Sequence, residues 1–180
     1  MVKISGGTKL EAVLNKIAAN LNKASTVEVG FFAGATEKDG TSVPLIAAIQ
    51  NFGAPSRGIP PRPFFTDAIK EHSGEWPEEL ASLLKAAGYD SKRALATIGK
   101  QIEGEIHQSI VDLSAPALSD VTVMLRGMRG RKQYRDLAFA ALIDAAIARV
   151  KAGKTNYSAS TKPLVDTGTM LKSVTSQVKS

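Results

Sequence analysis

Apolar residues recur along this chain in two rhythms, one of three to four positions and one of two. Leu10, Val13, Leu14, Ile17, Ala18 and Leu21 follow the first, behind a Thr8-Lys9-Leu10-Glu11 capping box. This spacing predicts a helix over residues 9–22. Val27, Val29 and Phe31 alternate, so 26–33 reads as a half-buried strand. Residues 34–41 form a loop turning at Asp39-Gly40. A short helix over 42–52 follows, with Pro44 tolerated in its first turn, Leu45, Ala48, Ile49 and Phe52 as its inward face, and Gly53 as its stop.

Asn51 to Phe65 then reads NFGAPSRGIPPRPFF. Arg57-Gly58 permits a tight reversal, while Pro60, Pro61 and Pro63 impose an extended path without backbone donors. Phe64 and Phe65 are its anchors, in the chain's own core or in a neighbour. Helix is predicted over 66–87, broken near Ser73-Gly74 and restarted by Pro77, with Leu80, Leu83, Leu84 and Ala87 inward. Asp90 or Ser91 caps the longest helix, to Leu113, on a stripe of Leu95, Ile98, Ile102, Ile106, Ile110 and Leu113. Gly99 and Gly104 lie within it, each costing about 1 kcal/mol against Ala, so they suit a close neighbour.

Beyond a break at 114–118, Ser119 caps a helical turn over 121–125. Arg126 to Lys132 is basic and broken by glycine, which reads as a mobile loop. Residues 137–151 form an alanine-rich helix with Phe139, Ile143, Ala146, Ile147 and Val150 in register, and 153–162 is polar and flexible. Alternation from Leu171 to Val178 predicts a closing strand. The fold class is α+β: a small antiparallel sheet packed with several helices, including one long central helix, in a single domain over 1–180.

Composition narrows this little. The 180 residues are 43% hydrophobic and 22% charged, enough to bury a core unaided. There is no cysteine, which excludes disulfides and thiolate metal sites. No apolar run approaches a membrane span, and the N-terminus lacks the apolar core of a secretory signal, so the expected site of synthesis is a cytoplasm. Charge changes the picture more. The net charge is +6, and residues 120–154 hold eight basic against three acidic side chains. Arg126, Arg129, Arg131, Lys132 and Arg135 are therefore candidates to face a polyanion or an acidic partner, the bland alternative being a solvated surface.

Candidate chemistry is sparse. Leu164-Val165-Asp166-Thr167-Gly168 is similar to the active-site loop of aspartic proteases, in which two carboxylates share a proton. No second Asp-Thr-Gly exists, and only 12 residues follow Gly168, so a plain turn or helix cap is the better reading. His72 and His107 lack partners at ligand spacing, and His107 falls off the apolar stripe, as a surface residue would. Gly6-Gly7 has no strand before it and reads as a hinge. Trp76 reads as a core or interface anchor. Neither an enzyme nor a cofactor is expected.

Three segments in order carry a family likeness. Val27 to Phe65 contains a strand ending in glycine, a helix ending in Asn51-Phe52-Gly53, and Ile59-Pro60-Pro61-Arg62-Pro63-Phe64-Phe65. Pro116 to Arg126 reads PALSDVTVMLR, and Lys162 to Val178 reads KPLVDTGTMLKSVTSQV. Together these resemble the phage tail-completion and head–tail joining proteins of the HK97 gp10-like group, akin in role to the minor tail protein Z of lambdoid phages. Asn51 departs from the group's usual acidic residue. A further departure separates the second and third segments by a basic helical insertion at about 128–161. The resemblance implies a virion structural protein of the neck, assembled as a hexameric ring at the top of the tail. Its implied partners are its own copies, a tail terminator or tail tube protein and the head connector or adaptor, with genomic DNA in the channel a further neighbour for the insertion; no membrane is involved. Phe52, Gly53, Ile59 to Phe65, Asp166, Thr167 and Gly168 would be interface or framework residues, with Asp-Thr-Gly the turn into the last strand. A nucleic-acid-binding module using 120–154 is the alternative from another class.

Overall fold

The computed structural model describes residues 7–129, 131–154 and 159–180. Gly6 and the centre of the polar 153–162 segment lie outside them. The fold is α+β, and its axis is the long helix α5 (Ser91–Asp112), started by Asp90, whose side chain accepts from the Arg93 N–H at 3.1 Å. Its predicted stripe is buried from Leu95 at 8% exposed to Ile110 at 0%, and only Leu113, just past the helix end, is half-buried.

Strands β1 (Thr26–Phe31) and β2 (Val174–Lys179) pair antiparallel, from Thr26 opposite Lys179 to Phe31 opposite Val174. A two-stranded sheet is marginal alone and needs a helix beneath it. Gly99 lets that helix come close. A Cβ there would lie 2.7 Å from Val27 Cγ2 and 3.0 Å from Ser176 Cβ. Gly104 has nothing within 4 Å, so only one of the two glycines answers to packing. β2 begins later than predicted, because Thr169–Lys172 forms a helical turn first.

Around this axis, α3 (Phe64–His72) and α4 (Trp76–Ala86) pack on α5, broken at the predicted Ser73-Gly74. Trp76 is half-buried and donates to Glu105 Oε2 at 2.9 Å. His107 is also half-buried, with its Nε2 shut off from solvent and without a hydrogen-bond partner, against the surface expectation. Helix α2 (Val43–Phe52) forms close to its predicted bounds, with Ser42 as its cap, but turns a different face inward. It buries Val43, Ala47 and Asn51, leaving Leu45 and Phe52 exposed. A helix apolar on nearly every side has no single preferred face by periodicity, and Asn51 decides it by a polar task described below.

A second, smaller core joins α6 (Asp120–Arg129) and α7 (Phe139–Lys151) through Met124, Met128, Leu142 and Ala146. It corrects two expectations. Arg126 to Arg129 is helical, not loop, because Met128 is buried against α7 and carries the helix past Arg126. In α7 the buried pair is Leu142 and Ala146, and Phe139 is 62% exposed. Helix α1 (Gly7–Leu21) begins early enough to place Thr8 inside its first turn, so the capping box does not start it. No residue of α1 is buried. Among the described residues its end alone is fastened: Asn20 Nδ2 donates to the Gly88 carbonyl, Lys23 pairs with Asp90 at 2.6 Å, and Ser91 Oγ bridges the Ala24 N–H and Asn20 carbonyl. A four-residue helix α8 (Thr169–Lys172) leads into β2.

Candidate functional site

The three segments singled out by resemblance meet around two inward-turned arginines. The first sits in the proline-rich stretch. Pro55–Arg57 makes one 3-10 turn, Gly58 takes a left-handed φ of 65°, and Ala54 and Ile59 exchange backbone hydrogen bonds to close the loop. Gly53 has φ 77°, and a Cβ on it would fall 2.8 Å from Pro61 N, so this crossing requires glycine. The chain then runs through exposed Pro60 and Pro61 to Arg62, which is only 5% exposed. Arg62 Nε donates to the Pro116 carbonyl at 3.3 Å, tying the first segment to the second, and Nη1 donates to Gln50 Oε1 at 3.1 Å. Burial, and then the charge of Arg126, pull its guanidinium below its ordinary value.

Pro63 leads into α3. Phe64 is fully buried, meeting the Phe31 ring edge-on at 6.0 Å between centroids, so it is a core residue. Phe65 is half-buried and packs against Phe31 and Phe64. Asn51 starts this helix. Its Oδ1 accepts from the N–H groups of Phe65 at 3.0 Å and Thr66 at 3.2 Å, and its Nδ2 donates to Thr66 Oγ1 at 2.8 Å. The departure to Asn at this position thus has a mechanical use: the amide supplies both an acceptor and a donor.

The second arginine ties the second segment to the third. Arg126 Nη1 donates to the carbonyls of Ser160, Lys162 and Val165, and Nη2 to that of Pro163 at 2.9 Å. Its side chain is 9% exposed and its Nε lies 3.6 Å from Asp166 Oδ2, which also pairs with Arg129 at 3.3 Å. Burial lowers the Arg126 guanidinium from its ordinary value, Asp166 opposes this, and Arg129 adds to it. Arg126 is therefore not polyanion-facing as expected; its donors are spent on its own chain. Arg129 is exposed and pairs with Asp166, and Arg131, Lys132 and Arg135 are exposed as well. Thr167 and Thr169 both donate to the Glu37 carboxylate at 3.0 Å, and Gly168, at φ 76°, precedes α8. Asp-Thr-Gly is thus a turn whose aspartate is held by two guanidinium groups.

Glu37, Gln50, Arg126, Arg129 and the Asp166 turn line a cleft of about 420 Å³ of mixed apolar and charged character. Within it, Glu37, Asp39 and Asp166 face Lys38, Arg126 and Arg129, so the charges balance. Asp39 accepts from the Thr41 N–H, which holds its carboxyl below the usual range. Among the described residues no cluster of three or more His, Asp or Glu side chains could hold a metal ion, and no helix is long and apolar enough to cross a membrane. The sequence offered no sign of Asn51, Gln50 or Glu37 as framework residues, because each becomes one only through a partner distant in the chain. Compared with known protein families, curated proteins and solved structures, the chain matches none.

Proposed function

We propose that this chain is a structural subunit of a phage neck, completing the tail and joining it to the head connector as one member of a ring. The observation that carries the reading is the convergence of its three family-like segments on one framework, through Arg62 to Pro116 and through Arg126 to residues 160–165. The framework positions and does not react: its polar groups are engaged with backbone carbonyls, amides and opposite charges. Such rigidity suits a part that must keep its shape between two larger machines, since little ordering entropy is lost on assembly. Electron microscopy of phage particles made without the protein tests this. Filled heads beside finished, unjoined tails are expected; normal joined virions would overturn it.

A second reading, contact with DNA, draws on exposed Arg131, Lys132 and Arg135 beside the α6–α7 core. It expects duplex affinity that falls steeply with salt and drops on changing these three to Ala. A flat salt response would remove it.

A further inference from the structure

Two apolar features of this chain are each incomplete and fit one another. The first is the face of α1. Leu10, Val13 and Leu14 are 62%, 54% and 56% exposed. A helix of this length is marginal alone in water, and in proteins draws its stability from burying such a face. The second is a groove of about 450 Å³ over α5, lined by Val27 of the sheet, Phe65 and Ile69 of α3, Trp76 and Leu80 of α4, and Ile102 of α5. Its lining is almost wholly apolar.

Charge matches the two. Helices α3 and α4, with Glu75 at the start of α4, carry Asp67, Glu71, Glu75, Glu78 and Glu79 against Lys70 and Lys85. Helix α1 carries Lys9 and Lys16 against Glu11. Lys9 and Lys16 are seven positions apart, two helical turns, so they flank the same side of the apolar face. Meanwhile the end of α1 is fixed to the start of α5 by Asn20, Lys23 and Ser91, so the helix is held as a projecting element.

We propose that α1 of one copy docks its Leu10–Val13–Leu14 face into the α3–α4–α5 groove of a second copy. Face and groove are different surfaces of one chain, so the contact is heterologous: each subunit gives a helix to one neighbour and takes one from the other. Such contacts close into a ring when the rotation allows and otherwise continue as a filament. The inference rests on the ring reading above and supplies the surfaces that would build it.

The test uses the full chain in sedimentation velocity over a wide concentration range. Wild type is expected to assemble. Leu14→Asp, at an exposed position, and Ile69→Asp, at the groove wall, are each expected to stop growth. Mixed, they are expected to give a two-chain species only, because one intact face still meets one intact groove. Lys9→Glu with Lys16→Glu, or Glu75→Lys with Glu78→Lys, is expected to weaken association about tenfold, and combining the two sets in one chain to restore it. Circular dichroism checks that Ile69→Asp is folded, and the charge pairs, all on exposed positions, carry the test if it is not. Assembly that ignores all these changes overturns the contact but leaves a ring built by other surfaces. A chain that stays monomeric overturns it too, as does a monomer that floats with anionic vesicles and loses this with Leu14→Asp. In both cases the particle experiment still judges the neck assignment separately.

Discussion

In α5, apolar residues repeat every three or four positions and Leu95, Ile98, Ile102, Ile106 and Ile110 are all 9% exposed or less. In α1 the same spacing leaves Leu10, Val13 and Leu14 more than half exposed. Nothing in either pattern distinguishes them. Periodicity states which face of a helix favours burial, and it is silent on what covers that face. In α5 the cover comes from the sheet, α3 and α4 within the chain. For α1 the described residues supply only a fastening at its end.

The sharpest way to break this comparison is to truncate both stripes. Ile106→Ala is expected to cost about 2–5 kcal/mol, the usual toll of a core cavity, while Leu14→Ala should move the stability of the dilute chain by less than about 0.5 kcal/mol. Urea unfolding at low protein concentration measures both. Comparable losses would mean that α1 is covered within its own subunit. Next comes the α6–α7 unit, intermediate between the two extremes. Arg126→Met strands carbonyls of residues 160–165 and leaves Asp166 with Arg129 alone; a loss of about 1–3 kcal/mol is expected, with hydrogen exchange rising first in α6 and α7. Asn51→Ala removes the cap of α3, one of the elements covering α5, and should cost about 1 kcal/mol; Asn51→Asp, which keeps the acceptor, should cost less.

The smallest effect is expected where α1 and α5 meet. The Lys23 ammonium, first, and the Arg93 N–H hold the Asp90 carboxyl below its usual range. Its folded value lies under its unfolded one, so its contribution is complete above the ordinary carboxylate range. That contribution is lost as pH falls through the folded value. Asp90→Asn should flatten that part of the acid limb in thermal melts between neutral pH and strong acid. An unchanged acid limb would show that α1 and α5 are not coupled through this pair.

Much of the fold was legible before any coordinates: the long helix and its stripe, the break at Ser73-Gly74, and the strands at both ends. α2 and α7 misled because they are apolar on several sides, so tertiary partners and not periodicity chose the buried face. The site was less legible still. Nothing local to Arg62 or Arg126 separates an arginine in solvent from one holding carbonyls dozens of residues away. The polar duty of Asn51 likewise exists only once Phe65 and Thr66 are brought back to it. What the sequence did offer was three marked segments in order; Arg62, in the first, holds a carbonyl of the second, and Arg126, in the second, holds carbonyls of the third.

The grip of Arg126 on residues 160–165 has a further consequence. Every group it holds there, apart from Asp166, is a main-chain carbonyl. The loop is recognised by its spacing and not by its spelling. Arg126 reads the positions of these carbonyls and not the side chains beside them, which have tasks of their own: Leu164 is buried in the core, Lys162 Nζ donates to the Val111 carbonyl and Ser160 Oγ accepts from the Lys162 N–H. Adding or removing one residue would slide the carbonyls past the guanidinium, so for this contact a change of length matters more than a change of side chain.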